Sequence, residues 1–356
     1  MKFSVGYQID PRGMLVPAIL SAKNKINEVY FAYGDFPNGR HRQTRSLFLS
    51  PEEANERQLC DLEAISEAGI GLNLLLNANC YGEDSLARSF YEEIGYTVDY
   101  LHGLFGLKNV TTTSPIIAKF IKSNFTGIGT RASVNMEIGT PNAMEQIKDY
   151  FDSYYLRREL NRDLDAARKA RKWCDENGKG LFMLANSGCL SFCPLHNFHD
   201  NLVAHEEQIA KKDNAFEFHP ICRERISKRE TAHALLCESN FVRPEDIHLY
   251  EGIFDGAKLA TRVSNTPIEI LKAYTDGHYT GNLASLLEPD HGAAIYPYVL
   301  ENSLIPEEFG QKVASCKKNC AECGYCENVF KKAMRKIDQG VYIYANANAN
   351  ANESND

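Results

Sequence analysis

The sequence predicts an α/β fold, a β/α (TIM-like) barrel carrying a Cys/His-rich insertion and a C-terminal cysteine-rich extension. Three observations predict it: short β-rich runs alternate with helical stretches, roughly eight such units fit into about 260 residues, and two cysteine-rich segments break the rhythm. Residues 3–9 and 28–33 read as the first strands. Ser50 then opens a helix with Pro51 at its first position and Glu52 and Glu53 in its first turn, where acids favour the helix dipole. Residues 72–77 form an apolar run of buried-strand type, followed by a helix near 85–94 and a strand near 110–113. Ser114 is an N-cap for the helix 115–124. The strand 128–136 leads to a helix opening at Thr140-Pro141, the strand 154–159 to the helix 164–177, and residues 180–185 form the seventh strand. After an insertion over about 187–245, residues 257–262 supply the eighth. Residues 1–283 are therefore read as the barrel domain and 284–344 as the extension. The end, 345–356, holds an Ala-Asn alternation and is expected to be disordered.

Composition narrows the function classes. The 356 residues carry 39 Lys+Arg against 47 Asp+Glu, a net charge of −8, with 44% hydrophobic residues. That is ordinary globular composition. The acidic balance argues against a broad nucleic-acid surface. No apolar run approaches the roughly 18 residues a membrane span needs, and Met1-Lys2-Phe3-Ser4-Val5-Gly6 does not begin a signal peptide, so a soluble cytoplasmic protein is expected. The unusual number is 11 cysteines. In a long chain of this kind they point to metal binding or redox chemistry rather than to disulfides.

Four thiols suit one site. Cys189 and Cys193, in Gly188-Cys189-Leu190-Ser191-Phe192-Cys193-Pro194, follow directly on the seventh strand, and the carboxyl ends of barrel strands build active sites. Cys80 follows the strand 72–77 and reaches the same rim, while Cys222 lies in the insertion and can fold back. Four thiolates are the usual complement of a [4Fe–4S] cluster. His196, His199, Asn201 and His205 follow within a dozen residues. A zinc site of Cys189, Cys193, His199 and His205 is chemically possible, but it leaves Cys80 and Cys222 unexplained. Cys60, Cys174 and Cys237 lie in helical stretches and read as packing residues.

The second run, Cys316-Lys317-Lys318-Asn319-Cys320-Ala321-Glu322-Cys323-Gly324-Tyr325-Cys326, is too crowded for two separated zinc knuckles, because a tetrahedral ion takes ligands from two directions. It is more like a ferredoxin loop, and a second [4Fe–4S] site using Cys316, Cys320, Cys323 and Cys326, or three of them, is expected. Zinc is the alternative there.

Several separated pieces resemble the collagenase-like peptidase U32 family. They are Leu156-Arg157-Arg158-Glu159-Leu160-Asn161-Arg162, the Gly188 to Pro194 turn with His199, Asn201 and His205 behind it, and Phe241-Val242-Arg243-Pro244-Glu245-Asp246-Ile247-His248-Leu249-Tyr250-Glu251. Lys258-Leu259-Ala260-Thr261-Arg262 and Tyr279-Thr280-Gly281-Asn282-Leu283 complete a resemblance spanning about residues 70–285. It implies a barrel-like domain holding an oxygen-sensitive [4Fe–4S] cluster through four cysteines. Despite the peptidase name, the family includes proteins for oxygen-independent hydroxylation of ubiquinone precursors and of tRNA or ribosomal RNA bases, with prephenate a proposed oxygen source in the RNA branch. The quinone branch uses one early and three later cysteines, a division that Cys80 with Cys189, Cys193 and Cys222 matches. The later spacing departs from those branches, which leaves the substrate class open.

Polar residues at strand ends complete the expected site: Asn77, Arg131, Asn161, Arg162 and Arg262 to bind substrate, arginines clamping carboxylates, and Glu159, His199 and His205 to move protons. The leading expectation is an iron–sulfur oxidoreductase hydroxylating a small aromatic or quinone-type substrate, or an RNA base. Its alternatives are a U32-like peptidase and a non-catalytic electron-transfer subunit. An electron donor or a related U32-like protein is an expected partner. No zinc-protease helix or serine elbow is present. Residues 157–172 hold seven Lys/Arg against three acids, which a solvated helix face explains without RNA.

Overall fold

The computed structural model describes residues 1–39 and 49–337; the expected disordered end, 345–356, lies outside them. Eight parallel strands close into a barrel in sequence order, β1 (Lys2–Gly6), β2 (Ile26–Phe31), β3 (Gly71–Leu76), β4 (Asn109–Thr112), β5 (Gly129–Ala132), β6 (Ser153–Tyr155), β7 (Gly180–Leu184) and β8 (Gly256–Leu259), with β8 paired to β1. The predicted fold class is the one observed. Helices ring it: α1 (Leu15–Ser21), α2 (Pro51–Glu67), α3 (Arg88–Phe105), α4 (Pro115–Asn124), α5 (Pro141–Gln146), α6 (Leu164–Asn177) and, after β8, α11 (Pro267–Asp276). Their starts follow the capping signals. Ser50 accepts from the Glu53 N–H while the Glu53 side chain accepts from the Ser50 N–H, closing a capping box. Ser114, Thr140 and Asp163 cap α4, α5 and α6.

Several predicted strands overrun the observed ones at their carboxyl ends, and two of them run into 3-10 turns. Beyond β5, residues Val134–Met136 form a 3-10 turn, and beyond β6, Arg158–Arg162 form another. Period-2 alternation cannot show where a chain leaves the barrel rim, because a short polar 3-10 turn alternates too.

The outer faces of the strands pack on the helices through fully buried Val5, Val29, Leu74, Val110 and Leu259, against Leu62, Ile94 and Ile117. The inner face differs, since barrels are commonly filled by branched apolar residues. Here Ser4, Glu28, Asn73, Thr111 and Arg131 fill it, all at most 4% exposed. Arg131 Nη1 pairs with Glu28, Asn73 Nδ2 donates to Glu28 at 3.0 Å, and Arg131 Nε donates to Ser153 Oγ at 2.9 Å. The Arg131 guanidinium also lies 3.9 Å from the Phe182 ring centroid.

Between β7 and β8 the insertion winds through α7 (His196–Ala204), α8 (Glu206–Ile209), α9 (Ile221–Ser227) and α10 (Ala234–Cys237). After α11 the chain forms β9 (Tyr298–Leu300), α12 (Phe309–Ala314), α13 (Cys320–Cys323), α14 (Tyr325–Ala333) and β10 (Met334–Lys336), with β9 and β10 antiparallel. Helix α14 packs on α10, so the tail lies against the insertion. Among the described residues, no helix is long and apolar enough to cross a membrane.

Candidate functional site

At the carboxyl ends of the strands, a small open pocket is lined by Tyr30, Asn77, Asn135, Arg158, Lys258, Arg262 and Glu288. Lys258 sits on β8 with its amine 4.1 Å from the Tyr30 ring centroid and 5.5 Å from that of Tyr155. Among the described residues no carboxylate forms an ion pair with it. Burial, and then the neighbouring charge of Arg262, push its pKa down to about 7. An amine that is half unprotonated near neutrality can act as an acid, a base or a nucleophile. Arg158 donates to Glu137 Oε1 at 3.0 Å and Asn135 Oδ1 at 3.1 Å, and Arg262 to Asn38 Oδ1 at 2.8 Å. Asn77 accepts from the Gly39 N–H at 3.1 Å.

Beside it a larger cleft is lined by Cys189, Cys193, Phe192, His196, Glu137 and residues 157–159. The loop that carries the two thiols is held tightly. Phe192 has φ 53°, a left-handed conformation that costs a non-glycine residue about 1–2 kcal/mol. Its N–H donates to Glu159 Oε1 at 2.8 Å, and Arg157 Nε donates to Glu159 Oε2 at 2.9 Å. Burial opposes ionisation of Glu159, but these bonds outweigh it and hold its carboxyl below the ordinary range. Glu159 is thus a clamp on the cysteine loop. At the loop's start the Gly188 N–H donates to Glu288 O at 2.7 Å, and a Cβ on Gly188 would lie 2.6 Å from Pro289 O. The buried His291 ring donates to the Gly188 carbonyl at 3.0 Å.

We expect Glu159→Gln to loosen this loop by roughly 1.5–3 kcal/mol, the worth of a hydrogen bond to a charged group. Amide hydrogen exchange at Phe192 reads it directly. Unchanged protection would show that the loop holds itself.

Cys222, at the start of α9, lies within electrostatic reach of Cys193. Cys80 accepts from the Gly82 N–H at 3.4 Å, and its neighbour Asn79 donates to Asp200 on α7 at 3.3 Å. Asp200 stands 3.5 Å from the ring of His196. Cys80 therefore approaches the helix that borders the thiol cleft, without a recorded contact to the other three. His199 packs on Phe218 with ring centroids 5.0 Å apart, and His205 follows the end of α7 near Gly82. His196, rather than either of them, lines the thiol cleft.

Three expected substrate residues are engaged elsewhere. Arg131 is inside the barrel with Glu28. Asn161 donates to the carbonyls of Leu184 and Asn240, at 2.7 and 2.9 Å. Arg162 donates to the Leu236 carbonyl at 2.7 Å and faces the tail thiols. Lys258, Arg158 and His196 were the residues without an expected role. The strand register that points Lys258 into the pocket is set by pairing around the whole barrel, not by its neighbours in sequence.

The tail thiols collect around α10. Cys237 is hydrogen-bonded to Cys326, which raises the pKa of Cys237 and lowers that of Cys326 to about 7. Cys237 is therefore not simply a packing residue, and Cys60 is exposed rather than packed; Cys174 alone of the three is buried. Among the described residues no three His, Cys, Asp or Glu side chains stand close enough to hold a metal ion as placed. The donors are nonetheless of the type that iron–sulfur clusters and zinc take, soft thiolates gathered at two places. Of the basic run, Arg157, Arg158, Arg168, Arg171 and Lys172 are in ion pairs with acids.

No family model matches the chain. It is 24% identical over 319 residues to an uncharacterized protease of Methanocaldococcus jannaschii, covering 88% of this chain and 90% of the relative. Its fold is similar to that of a solved U32 peptidase, with a TM-score of 0.52 and 14% identity over 72% of this chain and 91% of the other. The resemblance drawn from the sequence pieces is borne out.

Proposed function

From a chain that is U32-like in sequence and in its barrel, we propose an iron–sulfur enzyme that carries out oxygen-independent redox chemistry, hydroxylating a small aromatic or quinone-type substrate. The observation that carries this reading is the gathering of Cys189, Cys193 and Cys222 beside a cationic pocket at the strand ends. Those thiols, with Cys80 as the fourth, would hold a [4Fe–4S] cluster, which supplies one-electron transfer when bound.

The remaining chemistry belongs to the pocket. Arg158 and Arg262 suit a carboxylate on the substrate, and the Tyr30 ring offers an aromatic wall. Lys258 holds or releases a proton near neutral pH, while Asn77 orients a polar substituent. Glu159 keeps the cysteine loop in register with the pocket. Hydroxylating an aromatic carbon with oxygen from water releases two electrons and two protons, so the reaction would need a separate electron acceptor, which a related U32-like chain could supply. An RNA base receives less support, because much of the basic run is in ion pairs with neighbouring acids.

Anaerobic purification followed by iron and sulfide analysis and EPR of the reduced protein tests the reading. About four iron and four sulfide per chain should be lost on Cys189→Ser. Zinc at the mouth with no iron overturns it. The names of the relatives favour a second reading, a peptidase; hydrolysis of peptides by protein free of iron would establish that one instead.

A further inference from the structure

We propose that Cys237 is a ligand of a metal centre in the tail, completed by Cys316, Cys320 and Cys326, with Cys323 left outside. The centre binds either a single tetrahedral ion or an iron–sulfur cluster, both of which take four thiolates. The proposal does not depend on the redox reading of the barrel mouth.

Geometry comes first. Four cysteines crowded into eleven residues approach an ion from one side, whereas a tetrahedral centre needs a ligand from the opposite side. Cys237 supplies that side. It ends α10, which packs against α14, and its free thiol is hydrogen-bonded to that of Cys326. The Cys320 thiol lies 4.0 Å from the Cys237 carbonyl oxygen. Cys316 accepts from the Lys318 N–H at 3.3 Å, a local turn at the start of the run. Cys237, Cys316 and Cys326 are half-buried and Cys320 and Cys323 are exposed, but of those two it is Cys320 that meets Cys237.

An independent observation points to an anionic occupant. Arg162 is 3% exposed, and among the described residues no carboxylate pairs with it. Its Nε and Nη2 have no hydrogen-bond partner. A buried guanidinium without a counter-charge is costly. The groups within its electrostatic reach are Cys326, Cys316, Tyr250 and Cys237. A tetrathiolate centre carries net negative charge, either as zinc with four thiolates or as a [4Fe–4S] cluster, and it would supply the missing partner. Unligated thiols would not.

The test uses the whole chain, purified without oxygen. Thiols are alkylated in the folded protein before and after a chelator strips its metal, and each cysteine is read by mass spectrometry. Alkylation of Cys237, Cys316, Cys320 and Cys326 should rise together at least tenfold on stripping, while Cys323 reacts at the same rate throughout. Zinc, iron and sulfide released from a Cys189→Ser variant identify the occupant: zinc without sulfide means a single ion, and iron with equal sulfide means a cluster. Either result supports the proposal. A Cys237 whose reactivity ignores the metal overturns it, as does Cys323 protected with the rest, or a Cys189→Ser protein that releases no metal. Loss of iron from the barrel mouth alone, with tail protection intact, would defeat the redox reading and leave this one standing.

Discussion

Replacing Glu28 with alanine should cost about 3–5 kcal/mol of stability, the expected penalty for leaving one member of a buried ion pair without the other. Arg131 is 4% exposed and Glu28 2%, so neither charge can turn to water when its partner is removed. Glu28 also gathers Ser4 and Asn73, which would lose their acceptor together. The pH dependence follows. Burial opposes ionisation of Glu28, but Arg131 and then Asn73 outweigh it and hold its carboxyl below the ordinary range. Its contribution is therefore present above that range and is lost as pH falls through the folded-state value. Denaturant unfolding between neutral and acid pH should show wild type losing its advantage over Glu28→Ala on the acid side. The double change Glu28→Leu with Arg131→Met should recover most of the loss, since apolar replacement of a buried pair is often neutral. A penalty below about 1 kcal/mol for the single change would mean that water reaches the barrel interior.

The second large effect concerns Lys258. Substitution by methionine should stabilise the fold by roughly 1–4 kcal/mol at pH 6 while abolishing turnover, which loses its proton-transferring amine, and leaving carboxylate binding by Arg158 and Arg262 largely in place. Lys258 is buried and its pKa is pushed down to about 7, against about 10.4 for a free lysine. Below pH 7 the folded protein bears the full cost of a buried ammonium. As pH rises toward 10 the unfolded chain still binds the proton that the folded one has released, so wild type gains stability on Lys258→Met. Unfolding measurements of both proteins across pH 6–10 read this convergence. A difference that stays flat with pH would show that the amine is solvated.

These two residues also show where the sequence was legible. The eight strands could be found from their short β-rich runs, and the starts of α2, α4 and α5 from their Ser, Thr and Pro signals, because both signals are local. Arg131 and Lys258 were harder for one reason. A residue in a buried strand can point to the barrel axis or to the helices, and at different heights along that axis, and its depth is fixed by pairing with strands distant in sequence. Arg131 was expected at the rim and lies in the interior; Lys258 had no expected role and lines the pocket. Cys237 reads as one more apolar position on a short helix, and its meaning comes from residue 326. Cys189 and Cys193 were visible because Gly, Pro and two thiols in one short turn leave packing little to explain.

The 3-10 turn Arg158–Arg162, five residues long, has a practical bearing on genetics. Arg158 lines the pocket at the strand ends and the Glu159 carboxylate clamps the loop carrying Cys189 and Cys193. The Glu159 carbonyl accepts from Lys318 of the tail at 3.3 Å, and Arg162 lies among the tail thiols. Substitutions scattered along so short a segment will produce effects that look unrelated, some at the strand-end pocket, some at the loop carrying Cys189 and Cys193 and some at the tail thiols. Complementation between two such alleles would fail even though the sites they disturb are chemically distinct.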